Sequence, residues 1–362
     1  MRQVTIVCLC SVLLLAGCWD ERLYKNLSVI SVAGFEGHMG ELVSYYVYPN
    51  SASDPTQFTV IETKGVSPRD TRNKADMKMD QTIDLSELTV LLIAEETAHD
   101  DIYPYLDVYY RNPQNPINSK IAITKGSPKD FLSIKEPLPS DVGEFYENFI
   151  ESMERDTIFP KDLDLQQAGS RLFDEGIDLA IPYLKKDEAH GTPIAAGLAL
   201  FNQRKFTGTI LNTKESLLLN LLAKGKSDTA RMTFLYEEDD KKTPLTIDII
   251  RLKKKIKQQG NSKRITINVK IEVNIDEFPS DHLGKEKIEY QLEKFLSKKI
   301  QNNMNKMIKK CQDASSDPIG IGRKVRAKGS NIWKEGKWKD TYSTLDIQTN
   351  VDVKIIRSGI LK

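Results

Sequence analysis

The chain has 362 residues, with 52 Lys or Arg against 51 Asp or Glu, and four cysteines. That length leaves room for two to three domains at roughly 100–200 residues each. The balanced charge excludes nucleic acid as an expected partner, because such binders carry a basic excess, and it gives no strong pull toward anionic lipid.

Met1-Arg2-Gln3 supplies one positive charge, and the apolar run from Val4 to Leu15 falls short of the roughly 20 residues that a membrane span needs. The run closes on Leu15-Ala16-Gly17-Cys18. Small residues before a cleavage point mark a signal peptide. A cysteine at the first mature position marks a bacterial lipoprotein. Residues 1–17 are therefore expected to be removed, and Cys18 to carry a diacylglyceryl group on its sulfur. The chemistry needs a thiol to alkylate and small side chains that fit the peptidase. Two acyl chains, at ~0.8 kcal/mol per buried methylene, hold a protein stably where one is marginal. Cys8 and Cys10 leave with the signal, so Cys311 is the one thiol left over. No intramolecular disulfide is then possible, and no cysteine-based metal site is expected.

Val29 to Gly34 and Glu41 to Tyr48 read as two strands joined by a glycine-rich turn. Ser67-Pro68-Arg69-Asp70 opens a helix, with Ser67 as cap and Pro68 at the first position. Leu88 to Glu95 is a continuous apolar run of strand length, the pattern of a strand buried on both faces. Glu96 to Tyr110 reads as a helix with Pro104 in its first turns, and Ile121 to Thr124 as a short strand. Ser127-Pro128 repeats the helix start of Ser67. Ser140 to Glu154 and Leu163 to Glu175 follow as helices. Ile181 to Leu184 begins a polar linker that runs to Pro193, and a domain boundary is expected near residue 195. The division is thus 18–195 for an N-terminal α+β region, itself open to subdivision, and 196–362 for a C-terminal α+β domain.

Gly197 to Phe201 is a strand, and Thr213 to Ala223 an amphipathic helix stopped at Gly225. Alternation is clearest at Leu245–Ile249, Ile265–Ile275 and Leu345–Ile355, where apolar residues recur at every second position. Strands with one polar face suit an antiparallel sheet. Between them Lys285 to Lys310 forms a long helix with a stripe through Ile288, Leu292, Phe295, Leu296, Ile300, Met304, Met307, Ile308 and Cys311, interrupted by Lys299. The fold class expected is α+β: mixed or antiparallel sheets flanked by helices in two to three packed domains, with a C-terminal antiparallel sheet covered by the long helix.

Most constellations that suggest chemistry have plainer readings. Gly225-Lys226-Ser227 has the ending of a phosphate loop, but Asn220 stands where the motif needs glycine and a helix precedes it. His38, His99, His190 and His282 show no metal-ligand spacing. No Gly-x-Ser-x-Gly elbow occurs. The basic run Arg251 to Lys257 is read first as a charged strand face that blocks edge pairing, and second as a contact for phosphate or lipid headgroups. Asp317-Pro318-Ile319-Gly320-Ile321-Gly322 reads as a structured turn. Trp333 and Trp338, among lysines in a loop before the last strand, are read first as covering the edge of the core and alternatively as a partner-binding patch, since Trp is enriched at interface hot spots. No catalytic residue, metal site or cofactor is nominated.

An ordered set of segments carries a family resemblance. Cys18-Trp19-Asp20 is followed by Leu85-Ser86-Glu87-Leu88-Thr89-Val90-Leu91-Leu92-Ile93-Ala94-Glu95-Glu96 and by Tyr105 to Pro113. Then come Ile123-Thr124-Lys125-Gly126-Ser127-Pro128-Lys129-Asp130, Gly197 to Phe201 and Asp317 to Gly322. Together they resemble the Ger(x)C lipoprotein family, the C subunits of bacterial spore germinant receptors. The lysine-rich stretch around Trp333 to Trp338 departs from that pattern. The resemblance implies an α+β protein of three packed domains without catalytic activity. It implies a place on the outer face of the spore's inner membrane, and work with two membrane-embedded subunits, A and B, in nutrient-triggered germination. A solute-binding lipoprotein of a transporter is the alternative; it predicts two lobes with parallel sheets. An envelope hydrolase is the third class, with no residue to assign.

Overall fold

The computed structural model describes residues 26–49, 58–133, 142–238, 241–260, 262–279, 286–334 and 336–357. A short parallel pair is formed by β1 (Leu27–Val29) and β5 (Thr82–Asp84). The larger N-terminal sheet contains β2 (Val32–His38), β3 (Glu41–Pro49), β4 (Phe58–Gly65), β6 (Val90–Ala94), β7 (Lys120–Thr124), β8 (Ala180–Lys186), β9 (Pro193–Asn202) and β10 (Lys205–Leu211). Their order is β10-β9-β8-β7-β6-β2-β3-β4. The centre, β2, β6, β7 and β8, is parallel, and the outer strands add antiparallel on both sides. Parallel strands covered on both faces need apolar side chains at every position. Val90 to Ala94 are accordingly all buried.

Helices cover both faces of this sheet. On one face lie α1 (Pro68–Asp76), α2 (Glu95–Ala98), α3 (Tyr103–Arg111) and α6 (Leu165–Leu172), whose Ala75, Ala98, Leu106 and Ala168 share a core with Phe35, Leu91 and Ile123. On the other lie α4 (Pro128–Leu132), α5 (Val142–Arg155) and α7 (Thr213–Ala223). The Ser67 and Ser127 hydroxyls accept from backbone N–H groups of the turns they open, at Asp70 and Lys129. The expected helix from Glu96 to Tyr110 is two helices, broken where His99 to Ile102 intervene. Ile181 to Leu184, read above as the start of a linker, belong to β8; Pro182 is tolerated there within a buried strand. Thr213 to Ala223 is not amphipathic, because Ser216 to Leu222 are buried all round between the two layers.

The C-terminal sheet has the order β11-β12-β13-β14, with β11 (Arg231–Glu238), β12 (Lys241–Gln258), β13 (Arg264–Glu277) and β14 (Asp346–Arg357). The first two pairings are antiparallel, but β14 runs parallel to β13. The antiparallel expectation therefore fails for the last pair. Alternating burial reports a one-sided core and says nothing about strand direction. A parallel return needs a long crossover, supplied here by α8 (Glu286–Asp313), α9 (Ile321–Ala327) and α10 (Trp338–Ser343). Leu292, Leu296, Ile300, Met304, Met307, Ile308 and Cys311 of α8 are buried. They complete a core that runs without interruption from Val32 and Leu92 to Ile267 and Val353, joining both sheets.

The same helix closes the edge of β14. Glu293, Ser297, Gln301 and Asn305 accept from the backbone N–H groups of Ile355 (2.9 Å), Val353 (3.0 Å), Val351 (3.3 Å) and Thr349 (3.0 Å). Four helical residues advance about 6 Å and two strand residues about 6.6 Å, so a polar stripe of period four matches a strand edge of period two. An edge that would otherwise template further pairing is sealed by side chains. Replacing Gln301 and Asn305 together by Ala leaves two partly buried N–H groups without these acceptors. Urea unfolding should show a loss of about 2–4 kcal/mol with an unchanged denaturant slope; a loss below the error of the fit would show that the ladder carries no weight.

Candidate functional site

No metal-type cluster of three or more His, Cys, Asp or Glu occurs among the described residues. The group of residues that stands out is a buried junction between the N- and C-terminal parts. It begins at Asp317, after the end of α8. Its Oδ1 accepts from the N–H groups of Gly320 and Ile321 (both 3.0 Å), and its Oδ2 from Gly322 (2.7 Å) and from the Trp338 indole Nε1 (3.2 Å). The segment is a structured turn, and it leads into a helix, α9. The anion held at that helix start is the chain's own carboxylate.

Asp178, just before β8, answers from the other side. Its Oδ2 accepts from the Asp317 N–H (2.6 Å) and from the Lys339 ammonium, and its Oδ1 from the Gln203 N–H (2.8 Å). Its own N–H donates to the Asp317 carbonyl at 3.0 Å. Asp178 and Asp317 are both buried, and the Lys339 side chain is only 14% exposed. Burial pushes the Asp317 carboxyl up to about 6, against the pull of its backbone donors.

Around this centre the backbones come unusually close. The Arg323 N–H donates to the Gly176 carbonyl (2.9 Å), and the Gly336 N–H to Glu175 Oε2 (2.8 Å). A Cβ on Gly322 would lie 2.5 Å from Trp338 Nε1 and 2.9 Å from the Gly176 Cα, so glycine is required there. Arg323 and Arg326 both reach Asp174, at 2.7 and 3.2 Å. The charged groups are committed to one another, while the buried Ser316 and Tyr342 hydroxyls beside them have no hydrogen-bond partner among the described residues; the charged part of the arrangement has the chemistry of a fastener.

The two tryptophans fall in this region. Trp338 is 1% exposed and packs against Tyr342, so its place in a partner-facing patch is corrected: its indole N–H is needed by Asp317. Trp333 is half-buried, its ring 5.3 Å from the Trp338 ring, with the Arg326 guanidinium carbon 5.2 Å from its ring centroid. Cys18 and His282 lie outside the described residues. His38 and His190 pair with Asp100 (2.7 Å) and Asp187 (2.8 Å), and His99 faces the Phe206 carbonyl. Gly225-Lys226-Ser227 forms the exit of α7, where the Ser227 N–H donates to Thr157 Oγ1. From the basic run Lys254 turns inward to the carbonyls of Leu222 and Ala223 at the end of α7.

Sequence reasoning missed Asp178, Lys339 and the α8 polar stripe. The spacing of Glu293, Ser297, Gln301 and Asn305 was visible, but it sits beside a stronger apolar stripe. Asp178 carries no local signal, since all its partners but one lie more than 100 residues away.

A groove of about 560 Å³ opens beside the junction, lined by Asp101, Gln203, Arg204, Lys205, Asp313 and Ser315. Gln203 and Ser315 both adopt positive φ (55° and 49°), and Gln203 is held there by Asp178.

Asp178→Asn should destabilise the fold by about 3–5 kcal/mol, because it leaves a nearly buried ammonium without its charge partner. Adding Lys339→Met should recover part of that loss. A double-mutant cycle by urea unfolding measures the coupling; strictly additive effects would show that the pair is not coupled.

Two family models match the chain. The one described as the spore germination protein N-terminal domain covers residues 20–186, and the one described as spore germination B3/GerAC like, C-terminal, covers residues 196–359. The chain is 24% identical over 369 residues to the spore germination protein GerQC of Bacillus cereus, covering 99% of both chains. It is 22% identical to the spore germination protein KC of Bacillus subtilis (strain 168), covering 99% of this chain and 96% of the relative. Its fold matches the crystal structure of the GerBC protein with a TM-score of 0.59 at 16% identity, over 90% of this chain and 97% of that one. With both models matched in order over nearly its whole length, the chain belongs to the GerAC-like family of spore germination proteins.

Proposed function

We propose that this chain is a non-catalytic lipoprotein subunit of a nutrient germinant receptor. In this reading Cys18 anchors it to the outer face of the spore's inner membrane, and it assembles with membrane-embedded A and B subunits to relay the germination signal. The observation that carries the reading is the pair of family matches, residues 20–186 and 196–359, in the order of the family. Residues 18–195 and 196–362 act as its two working regions, with the eight-stranded sheet continuing across residue 195 through β9 and β10.

The physical design suits assembly more than chemistry. The charged groups of the junction are spent on one another, and no helix among the described residues is long and apolar enough to cross a membrane. An acyl anchor confines such a body to the membrane plane and raises its effective concentration near partners that share the plane.

The test is Cys18→Ala in spores, followed by membrane fractionation and germination on a panel of nutrients. The expected result is release from the membrane fraction together with loss of response to particular nutrients. Full membrane retention with normal germination would overturn the anchored-subunit reading.

A further inference from the structure

We propose that β11 is a strand-addition surface for a second copy of this chain. The C-terminal sheet ends in two edges, and the fold treats them oppositely. The β14 edge is closed by four side chains of α8. β11 is the other terminal strand, and β12 is its one hydrogen-bonded neighbour in the sheet. No hydrogen bond from any other described element reaches the backbone of residues 231–235.

An edge strand presents a row of unpaired backbone groups, which natural proteins blunt with Lys, Pro, a bulge or a covering element. Among the described residues, no Lys, Pro or bulge occurs from Met232 to Leu235. The strand pairs with β12 from Arg231 to Glu238 without a register shift, so it is long and regular. Thr233, Phe234, Leu235 and Tyr236 are strong strand formers or fit a pleated surface. Leu235 is 59% exposed. An edge of this kind aggregates unless something specific covers it.

The sequence of the strand favours a copy of itself. In an antiparallel pair with its twofold at Phe234, Arg231 stands opposite Glu237, Met232 opposite Tyr236, and Thr233 opposite Leu235. Opposite residues share a face. The pairing keeps exposed Arg231, Thr233, Leu235 and Glu237 on the outer face, and brings buried Met232 and Tyr236 together on the inner one. A slip of one residue would set outer positions against inner ones, and a slip of two would place Arg231 opposite Leu235, away from Glu237; Arg231 already pairs with Asp248 and Asp276 and Glu237 with Lys242 in their own chain, so the cross-copy pair extends an existing charge network. The result is an isologous contact, closed by symmetry so that growth stops at two. This inference is independent of the receptor reading and survives its failure.

The experiment uses the chain from residue 19 onward, so that no lipid contributes, and compares it with Thr233→Lys/Leu235→Lys. Both positions are exposed, and far-UV circular dichroism checks that the variant is folded. Sedimentation across a micromolar concentration series should show a monomer–dimer equilibrium. The paired lysines should weaken it by about tenfold or more, since each brings like charges to the contact. Hydrogen exchange of unsubstituted β11 amides should slow as concentration rises, a readout that needs no variant. A monomer at all concentrations, a dimer indifferent to the lysines, or β11 exchange independent of concentration would each overturn the proposal.

Discussion

The buried carboxylate of Asp178 is the constraint on which the remaining architecture depends. A carboxylate removed from water is strongly unfavourable unless donors and a countercharge surround it. Here the donors come from three separate stretches of chain: the Gln203 N–H, the Asp317 N–H and the Lys339 ammonium. Satisfying one side chain thus fixes the β9–β10 turn, the end of α8 and the start of α10 relative to the large sheet. Asp317 extends the arrangement by gathering the start of α9 and the Trp338 indole around a second carboxylate. Local hydrogen-bond satisfaction and long-range domain placement are here one event.

Packing gives the same result by a different force. The apolar core on one side of the large sheet continues into the space between the C-terminal sheet and α8. α7 is buried on nearly all sides because it lies within that shared core, and its two buried polar residues are satisfied: the Ser216 hydroxyl donates to the Leu211 carbonyl at 3.2 Å, and Asn220 donates to the carbonyls of Thr157 and Ile158 at 2.9 Å. Burial on this scale is the main favourable contribution to folding, and polar junctions then select one arrangement among several of similar area. The α8–β14 ladder adds specificity of register, since only a helix laid along the strand with matching rise can meet all four N–H groups.

Much of this was legible in the chain. The serine caps at Ser67 and Ser127, the buried run at Val90 to Ala94, the alternating strands of the C-terminal sheet and the long helix all follow from local pattern. What stayed hidden has a common cause. The parallel direction of β14, the inclusion of Ile181 to Leu184 in a central strand, and the burial of Trp338 are all decided by contacts distant in sequence. Periodicity reports which face is covered but not by what. Trp338 illustrates this: a tryptophan among lysines has the composition of an exposed patch, yet Asp317 needs its indole N–H and draws it inside.

The two family-matched parts of this spore germination protein are thus held together by buried polar groups and a shared core. The claim that most of the account rests on is that the two regions are one cooperative unit. Differential scanning calorimetry of the chain from residue 19 onward addresses it directly. A single transition, with calorimetric and van't Hoff enthalpies in agreement, is the expected result. Two separable transitions, one for each region, would contradict the account and would make the Asp178–Asp317 junction a contact between independent domains.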